Sequence, residues 1–239
     1  MKSIYYLFPL IFLYQTTFSA IHSDLAANNS ALEVLKMPAA VRTESIKQLG
    51  ADGYKNLREI AFDSIYGMKF QWRALSSLSL LGGEKSLPEL EVALKHKDWY
   101  LRNAGLVMLR EVKPVRALFW AKKSMKDSSL IVRTAAVEVI RSLKDHNSAS
   151  LLWTELYEKQ NYRGQQSLWI RRHIVETLGE MGQAGDESRF IKVLDDKDAT
   201  LYGPAVSALE RLTKKQFGSA KDKVSTRVSL CKLWWKERS

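Results

Sequence analysis

This sequence predicts an all-α fold, a right-handed solenoid of stacked helical hairpins, and three observations predict it. The first is repetition: "YLRNAGLVMLREV" (100–112) and "IVRTAAVEVIRSL" (131–143) both place an Arg third and a small residue three positions later, with large apolar residues seven and ten positions after the Arg. The second is regularity. The same columns recur in five segments, 69–81, 100–112, 131–143, 169–181 and 200–212, at spacings of 31, 31, 38 and 31 residues. The third is geometry: offsets of three, seven and ten share one face of a helix with 3.6 residues per turn. A single amphipathic unit of this kind cannot bury its apolar face alone, so stacked neighbours must complete the core.

Taken in order, the sequence opens on "MKSIYYLFPLIFLYQTTFSA", in which Lys2 precedes the apolar run 4–14 and then polar and small residues. That is the layout of a secretory signal peptide. The run is shorter than the roughly 20 residues a membrane-spanning helix needs. Thr17-Phe18-Ser19 favours cleavage after Ser19, giving a signal over 1–19; cleavage after Ala20 would put bulky Phe18 three residues before the cut. The protein is therefore expected to be exported, periplasmic or secreted, with no integral membrane segment after processing. Residues 20–38 hold Ala, Asn and Ser without a clear period and read as a linker or N-terminal arm.

The repeat array spans 39–213. A degenerate unit comes first: 46–63 reads as helix, a Gly50-Ala51-Asp52-Gly53 turn, then helix. In the five regular segments the reference column is Gln71, Arg102, Arg133, Arg171 and Tyr202. Three positions on stand Ala74, Gly105, Ala136, Ile174 and Ala205, mostly small, which lets a neighbouring helix come close. Seven on stand Leu78, Leu109, Ile140, Leu178 and Leu209. A second helix is predicted in each of the first four units, with apolar pairs Leu90/Leu94, Ala121/Met125, Leu152/Leu156 and Phe190/Leu194. Ser86-x-x-Glu89 has the spacing of a capping box, with Pro88 tolerated in the first turn. The one long interval is seven residues over the rest, around "EKQNYRGQQS" (158–167), which reads as a polar loop. After Leu212 the pattern stops, and 214–239 reads as a C-terminal capping helix.

These residues carry a family resemblance. Asp98, Arg102, Gly105 and Leu109, then Val132-Arg133, Ala136 and Ile140, then "TLGEMG" (177–182), resemble the short HEAT-like repeats of the PBS-lyase type. "LTKKQFG" (212–218) followed by "LWW" (233–235) is similar to the closing element of many such arrays. The resemblance covers about residues 39–239. It implies a binding scaffold rather than any one function. It also implies that the repeated Arg pairs with acidic residues of adjacent units, which Arg102, Arg133 and Arg171 match and Gln71 and Tyr202 do not.

Charge bounds the partners. Lys and Arg number 37 against 26 Asp and Glu, a net charge of +11. Such a balance favours nucleic acid, acidic proteins or anionic envelope polymers, and is equally served by solvated surface. Export removes the protein from genomic DNA, so no nucleic-acid partner is expected. The single Cys231 cannot close an internal disulfide and sits among Leu230, Leu233 and Trp234 as a small hydrophobe.

Enzymatic signatures are missing. Di-iron hydroxylases built on this repeat use His-Glu ligand pairs, but His22, His96, His146 and His173 are followed by Ser, Lys, Asn and Ile, with no His-x-x-x-His spacing. No metal or cofactor is expected. DNA glycosylases on such scaffolds need aromatic and acidic residues in a cleft, for which Trp153, Glu155 and Tyr157 are candidates, but an export signal places the chain away from genomic DNA. There is no Gly-x-Ser-x-Gly elbow and no phosphate-cradling loop. "DDKD" (195–198) reads as an inter-unit turn with Asp198 capping the next helix.

The functional candidates form a stripe on the second helices, the concave side of such arrays: Lys95, Lys122, Lys126, Trp153 and Tyr157, with Lys192 one position off the column. Tyr162 and Arg163 at the centre of the inserted loop add an aromatic anchor and a donor fork. Trp153 and Tyr157 serve equally well as core, the lysines as solvated surface, and the insertion as a tolerated loop. The expected function is an exported, non-enzymatic scaffold recognising a protein partner through its concave face and the inserted loop. The alternative is an anionic envelope polymer bound by the basic face.

Overall fold

A computed structural model describes residues 30–238. The expected signal peptide, the first part of the expected arm and His22 lie outside the described residues. The described part is all-α apart from one two-stranded hairpin. It divides into two compact units, the first ending at Val112 and the second beginning at Lys113.

In the first unit, residues 30–36 are helical and are followed by α1 (Ala39–Lys47), α2 (Gly50–Phe62), α3 (Gly67–Gly82), α4 (Leu87–Leu94) and α5 (Trp99–Val112). Three local expectations are corrected here. The arm is not loose along its whole length: Ala31 and Leu35 are fully buried, and the Arg73 Nη1 donates to the Leu35 carbonyl at 2.6 Å. The first turn falls at 48–49 rather than 50–53, because Gly50, at φ +68°, is where helix α2 starts. The capping box does not form. Ser86 donates instead to the Gly83 carbonyl, and Glu89 accepts from Tyr54 Oη at 2.9 Å and pairs with Arg58 at 3.3 Å.

α3 packs between α2 and α5, and α4 packs on α5. Gly105 shows why a small residue is needed on that face: a Cβ there would stand 3.0 Å from the Leu90 carbonyl oxygen and 3.1 Å from Ala93 Cβ. Contacts that short are tighter than ordinary packing, so α4 and α5 approach at the limit glycine allows.

The second unit holds α6 (Pro114–Ser124), α7 (Leu130–Ser142), α8 (Ala149–Glu155), the hairpin β1 (Tyr162–Arg163) and β2 (Gln166–Ser167), α9 (Ile170–Met181), α10 (Glu187–Val193), α11 (Tyr202–Thr213) and α12 (Val224–Lys236). α7, α9 and α11 pack side by side in sequence. α6, α8 and α10 each pack on the longer helix that follows. The predicted columns are the core: Ile140, Leu178 and Leu209, and the pairs Ala121/Met125, Leu152/Leu156 and Phe190/Leu194, are all at most 1% exposed. α12 covers the end with Val228, Cys231 and Trp234, and the Trp234 ring lies 5.3 Å from that of Phe217. Burial pushes the Cys231 thiol up to about 12, so it stays protonated and unreactive at neutral pH. Among the described residues no helix is long and apolar enough to cross a membrane.

The reference column does one job in all five helices. Arg102 donates to the His96 and Lys97 carbonyls, Arg133 to those of Asp127 and Ser128, Arg171 to that of Leu156, Gln71 to that of Ala61, and Tyr202 to that of Asp196. The acceptors lie in the last turn of the preceding helix (Ala61), at its C-cap (Leu156), or in the link between it and the next helix (His96, Lys97, Asp127, Ser128 and Asp196). The column therefore ties each repeat helix to the end of the helix before it or to the link between them, through a side-chain donor to backbone carbonyls. The resemblance implies a ladder of Arg–carboxylate pairs. Arg171 makes such a pair, with Asp196, whereas the bonds of Arg133 run to carbonyl and amide oxygens. The carbonyl bonds also explain why Gln71 and Tyr202 can stand in the column: the task needs a side-chain donor, not a charge.

Candidate functional site

The seven extra residues fold into an ordered structure. α8 ends at Glu155, a 3₁₀ turn spans Lys159–Asn161, and the backbone reverses between β1 and β2 through Gly164 at φ +61°. A two-residue hairpin turn that opens on a positive φ calls for glycine at that position. The root of the hairpin is built into the core. Asn161 is fully buried, its Nδ2 donating to the Glu155 carbonyl at 2.7 Å and its Oδ1 accepting from Arg133 Nε at 3.0 Å. Arg133 Nη2 donates to the Gln160 carbonyl at 2.6 Å, and Gln160 Nε2 donates to the Met125 carbonyl at 2.9 Å. Glu155, also fully buried, is held by Lys126 at 2.8 Å and by Gln160 at 3.2 Å. These bonds tie the inserted loop to the stack: Arg133 of the reference column makes two of its hydrogen bonds to it.

Above this root the hairpin walls a groove of about 830 Å³, closed on the other side by the segment 195–200. Its floor is the ion pair of Arg171, 1% exposed, with Asp196, at 3.2 Å through Nη1 and 2.5 Å through Nη2. Tyr162 lies over the guanidinium, 4.5 Å from ring centre to Cζ, and Tyr157 stands 5.6 Å away. Burial alone would raise the Asp196 carboxyl, but the Arg171 hydrogen bonds and charge outweigh it and hold the group below the usual carboxylate range. Asp198 is lowered too; burial is again outweighed, here by bonds from Ser167 and Thr200. As expected, Asp198 also caps the following turn, accepting from the Thr200 N–H at 3.0 Å. The rim carries Gln165, Gln166, Arg172 and Trp169, whose indole is 52% exposed and meets His173 edge-on. Three cations, Arg171, Arg172 and Lys197, face three carboxylates, Asp195, Asp196 and Asp198, so the lining is neutral.

A smaller cavity of about 260 Å³ gathers Trp153, Tyr157 and Lys192 with Ser150, Thr154 and Arg189. Trp153 is an interior residue, 8% exposed with its ring 4.9 Å from that of Phe190. Tyr157 is 43% exposed and lines this cavity alone, its ring 6.0 Å from Lys192 Nζ and 5.6 Å from Arg171 Cζ. Arg163 is exposed in β1. Lys122 and Lys126 are spent on local ion pairs, Lys122 with Asp145 at 3.0 Å and Lys126 with Glu155 and Glu158. Lys95 is exposed in the first unit.

Sequence reasoning missed Trp169, Arg171, Asp196 and Thr200 as lining residues. Trp169 and Arg171 were absorbed into a repeat helix, and only the fold brings 195–200 opposite the hairpin. The groove offers an indole, amides, hydroxyls and paired charges, and its lining contains no His or Cys. Among the described residues no cluster of three or more His, Cys, Asp or Glu is placed to hold a metal ion. No protein-family model matches the sequence, and no curated protein is significantly similar to it.

Proposed function

We propose that this protein is an exported, non-enzymatic scaffold of the HEAT-like solenoid type, and that the hairpin groove takes a segment of a protein partner. The observation that carries the reading is the insertion itself: one departure from a fixed spacing, with a buried root and a rim that is largely exposed. A tolerated surface loop has no need of a fully buried Asn161. The solenoid reading is supported by longer helices packed side by side within a unit, each receiving the shorter helix before it. A protein partner fits better than an anionic polymer because the groove is charge-balanced, and because an exposed indole beside amides and paired charges matches the composition of interface hot spots. Two of the lysines that suggested a basic face are neutralised by their own carboxylates.

The test places a photo-crosslinking residue at Gln165 and isolates adducts from the native exported compartment. One stoichiometric protein adduct is expected, with affinity falling about tenfold or more in Trp169→Ala. Binding that collapses with modest salt and tolerates many polyanions would favour the polymer reading. No adduct at Gln165, with full affinity in Trp169→Ala, would overturn the assignment of the groove.

A further inference from the structure

Ion pairs join the helices that precede the longer ones, and one junction lacks them. Within the first unit, Arg58 of α2 meets Glu89 of α4 at 3.3 Å. Within the second, Lys122 of α6 meets Asp145, before α8, at 3.0 Å, and Lys126, just past α6, meets Glu155 of α8 at 2.8 Å. Asp195, just past α10, meets Lys232 of α12 at 2.6 Å. Between α8 and α10 no such pair forms among the described residues, because the one carboxylate of α8, Glu155, is spent on Lys126. Arg189 and Lys192 of α10 instead line the cavity of about 260 Å³ with Ser150, Trp153, Thr154 and Tyr157, and its lining contains no carboxylate. Lys192 is exposed, 6.0 Å from the centre of the Tyr157 ring, and makes no ion pair among the described residues. Arg189 stands 5.7 Å from the Trp153 ring and touches only Asp186, three residues before it, at 3.5 Å. A second observation owes nothing to charge: Trp153 is 8% exposed, and its buried indole Nε1 has no acceptor among the described residues. A buried indole N–H ordinarily finds one.

We propose that the cavity between α8 and α10 is a carboxylate site, in which a ligand brings the group that Glu89, Asp145, Glu155 and Asp195 supply at the other junctions. The positive charge on offer is modest, one ammonium and a guanidinium already touched by Asp186, and it suits a singly charged carboxylate better than a phosphate, which carries closer to two charges at neutral pH. The rings of Trp153 and Tyr157 give the cavity apolar walls, so the carboxylate belongs on an apolar or planar body rather than on a freely hydrated ion. Both cations come from one short helix that is already folded and anchored by the fully buried Phe190, so the ligand meets them without a cost of helix formation. The proposal is independent of the hairpin groove.

The experiment is a titration of the full-length, nitrogen-15-labelled protein at low salt, read by NMR at the Trp153 indole N–H, which Trp153→Phe assigns. The probes are benzoate and its neutral match benzamide, the peptide acetyl-Gly-Glu-Gly-amide and its Gln counterpart, and inorganic phosphate. The variants are Lys192→Gln and Lys192→Arg, each checked by its melting transition; Lys192 is exposed, so both should fold. The acids should shift the indole resonance saturably, and the neutral matches should bind about tenfold more weakly or worse. Lys192→Gln should lose about fivefold or more, and Lys192→Arg should keep most of the affinity. A peptide bound about tenfold more tightly than benzoate would assign the carboxylate to an acidic protein segment, and benzoate bound as tightly or better to a free small acid. No saturable shift with either acid, equal affinity for benzoate and benzamide, or full affinity in Lys192→Gln would each overturn the proposal. Phosphate bound more tightly than both acids would overturn the choice of carboxylate.

Discussion

Replacing Arg133 by Ala tests whether the column and the insertion form one mechanical unit. The guanidinium is almost fully buried and makes four hydrogen bonds, to the carbonyls of Asp127, Ser128 and Gln160 and to Asn161 Oδ1. Ser128 is exposed and Asp127 half-buried, so water can replace the donor at their carbonyls. Asn161 is sealed, and Gln160, whose carbonyl takes the Nη2 bond, is half-buried beside it. Acceptors left without donors at such sites cost about 1–3 kcal/mol each, the sealed one at the upper end. Burial pulls the Arg133 pKa down, and the desolvation penalty that this reflects is recovered in the variant. The net loss is then about 3–4 kcal/mol, close to the range for breaking a buried polar network. In a unit of 239 − 112 = 127 residues that is a fall of roughly 10 °C in melting temperature. Urea and thermal unfolding followed by circular dichroism measure it, with Arg133→Lys expected in between because one ammonium cannot span the four acceptors. Limited trypsin digestion supplies a second readout: Lys159 and Arg163 flank the root, and cleavage there should quicken when Arg133 no longer holds Gln160 and Asn161. A loss below about 1 kcal/mol with unchanged hairpin cleavage would refute the coupling.

The other predictions concern separate parts of the molecule. Deleting 160–166 removes Gln160 and Asn161 together and should destabilise the second unit by about 3 kcal/mol or more, whereas Arg163→Ala should move its unfolding by less than about 0.5 kcal/mol. Gly105→Val pushes into the Leu90 carbonyl and Ala93 and should cost about 1–3 kcal/mol in thermal unfolding, despite the gain in helix propensity. Asp145, Asp196 and Asp198 titrate lower in the folded state than in the unfolded one, so their contribution is complete above the usual carboxylate range and is lost as pH falls through the lower folded values; urea midpoints across acid pH should show this, and Asp196→Asn should flatten the acid limb. Cys231 should react with a thiol reagent only after unfolding, and rapid labelling of the native protein would contradict its burial.

The helices were legible because their signal is periodic. Leu78, Leu109, Ile140, Leu178 and Leu209 fall at one offset, and an offset kept over five units leaves little choice of face. What sequence could not resolve were contacts that skip the period. Ser86 and Glu89 have capping-box spacing, yet Tyr54 and Arg58 on α2 compete for Glu89, and a tertiary partner outweighs the local one. The insertion was visible as a count of seven residues, but its role depends on Arg133 reaching it from 28 positions away. Trp153 illustrates the same limit. Its place on a helix wheel is compatible with surface or interior, and the ring of Phe190, in the next shorter helix, decides for the interior.

Arg171 ties the groove to the core in a way that would constrain how the proposed partner acts. Its guanidinium bonds the Leu156 carbonyl behind it and Asp196 and Ser167 in front, and Tyr162 of the hairpin lies over it. The same residue therefore caps α8, forms the groove floor and supports the hairpin wall. A partner segment seated in the groove would displace water from around the Arg171–Asp196 pair, and an ion pair with less solvent around it is harder to break while both its members keep their hydrogen bonds. Binding at the rim would then be felt at the end of α8 and, through Asn161, at Arg133. The groove and the regular stack are thus not separable modules: a substitution on the floor should change stability and affinity together, and one on the rim, such as Trp169→Ala, affinity alone.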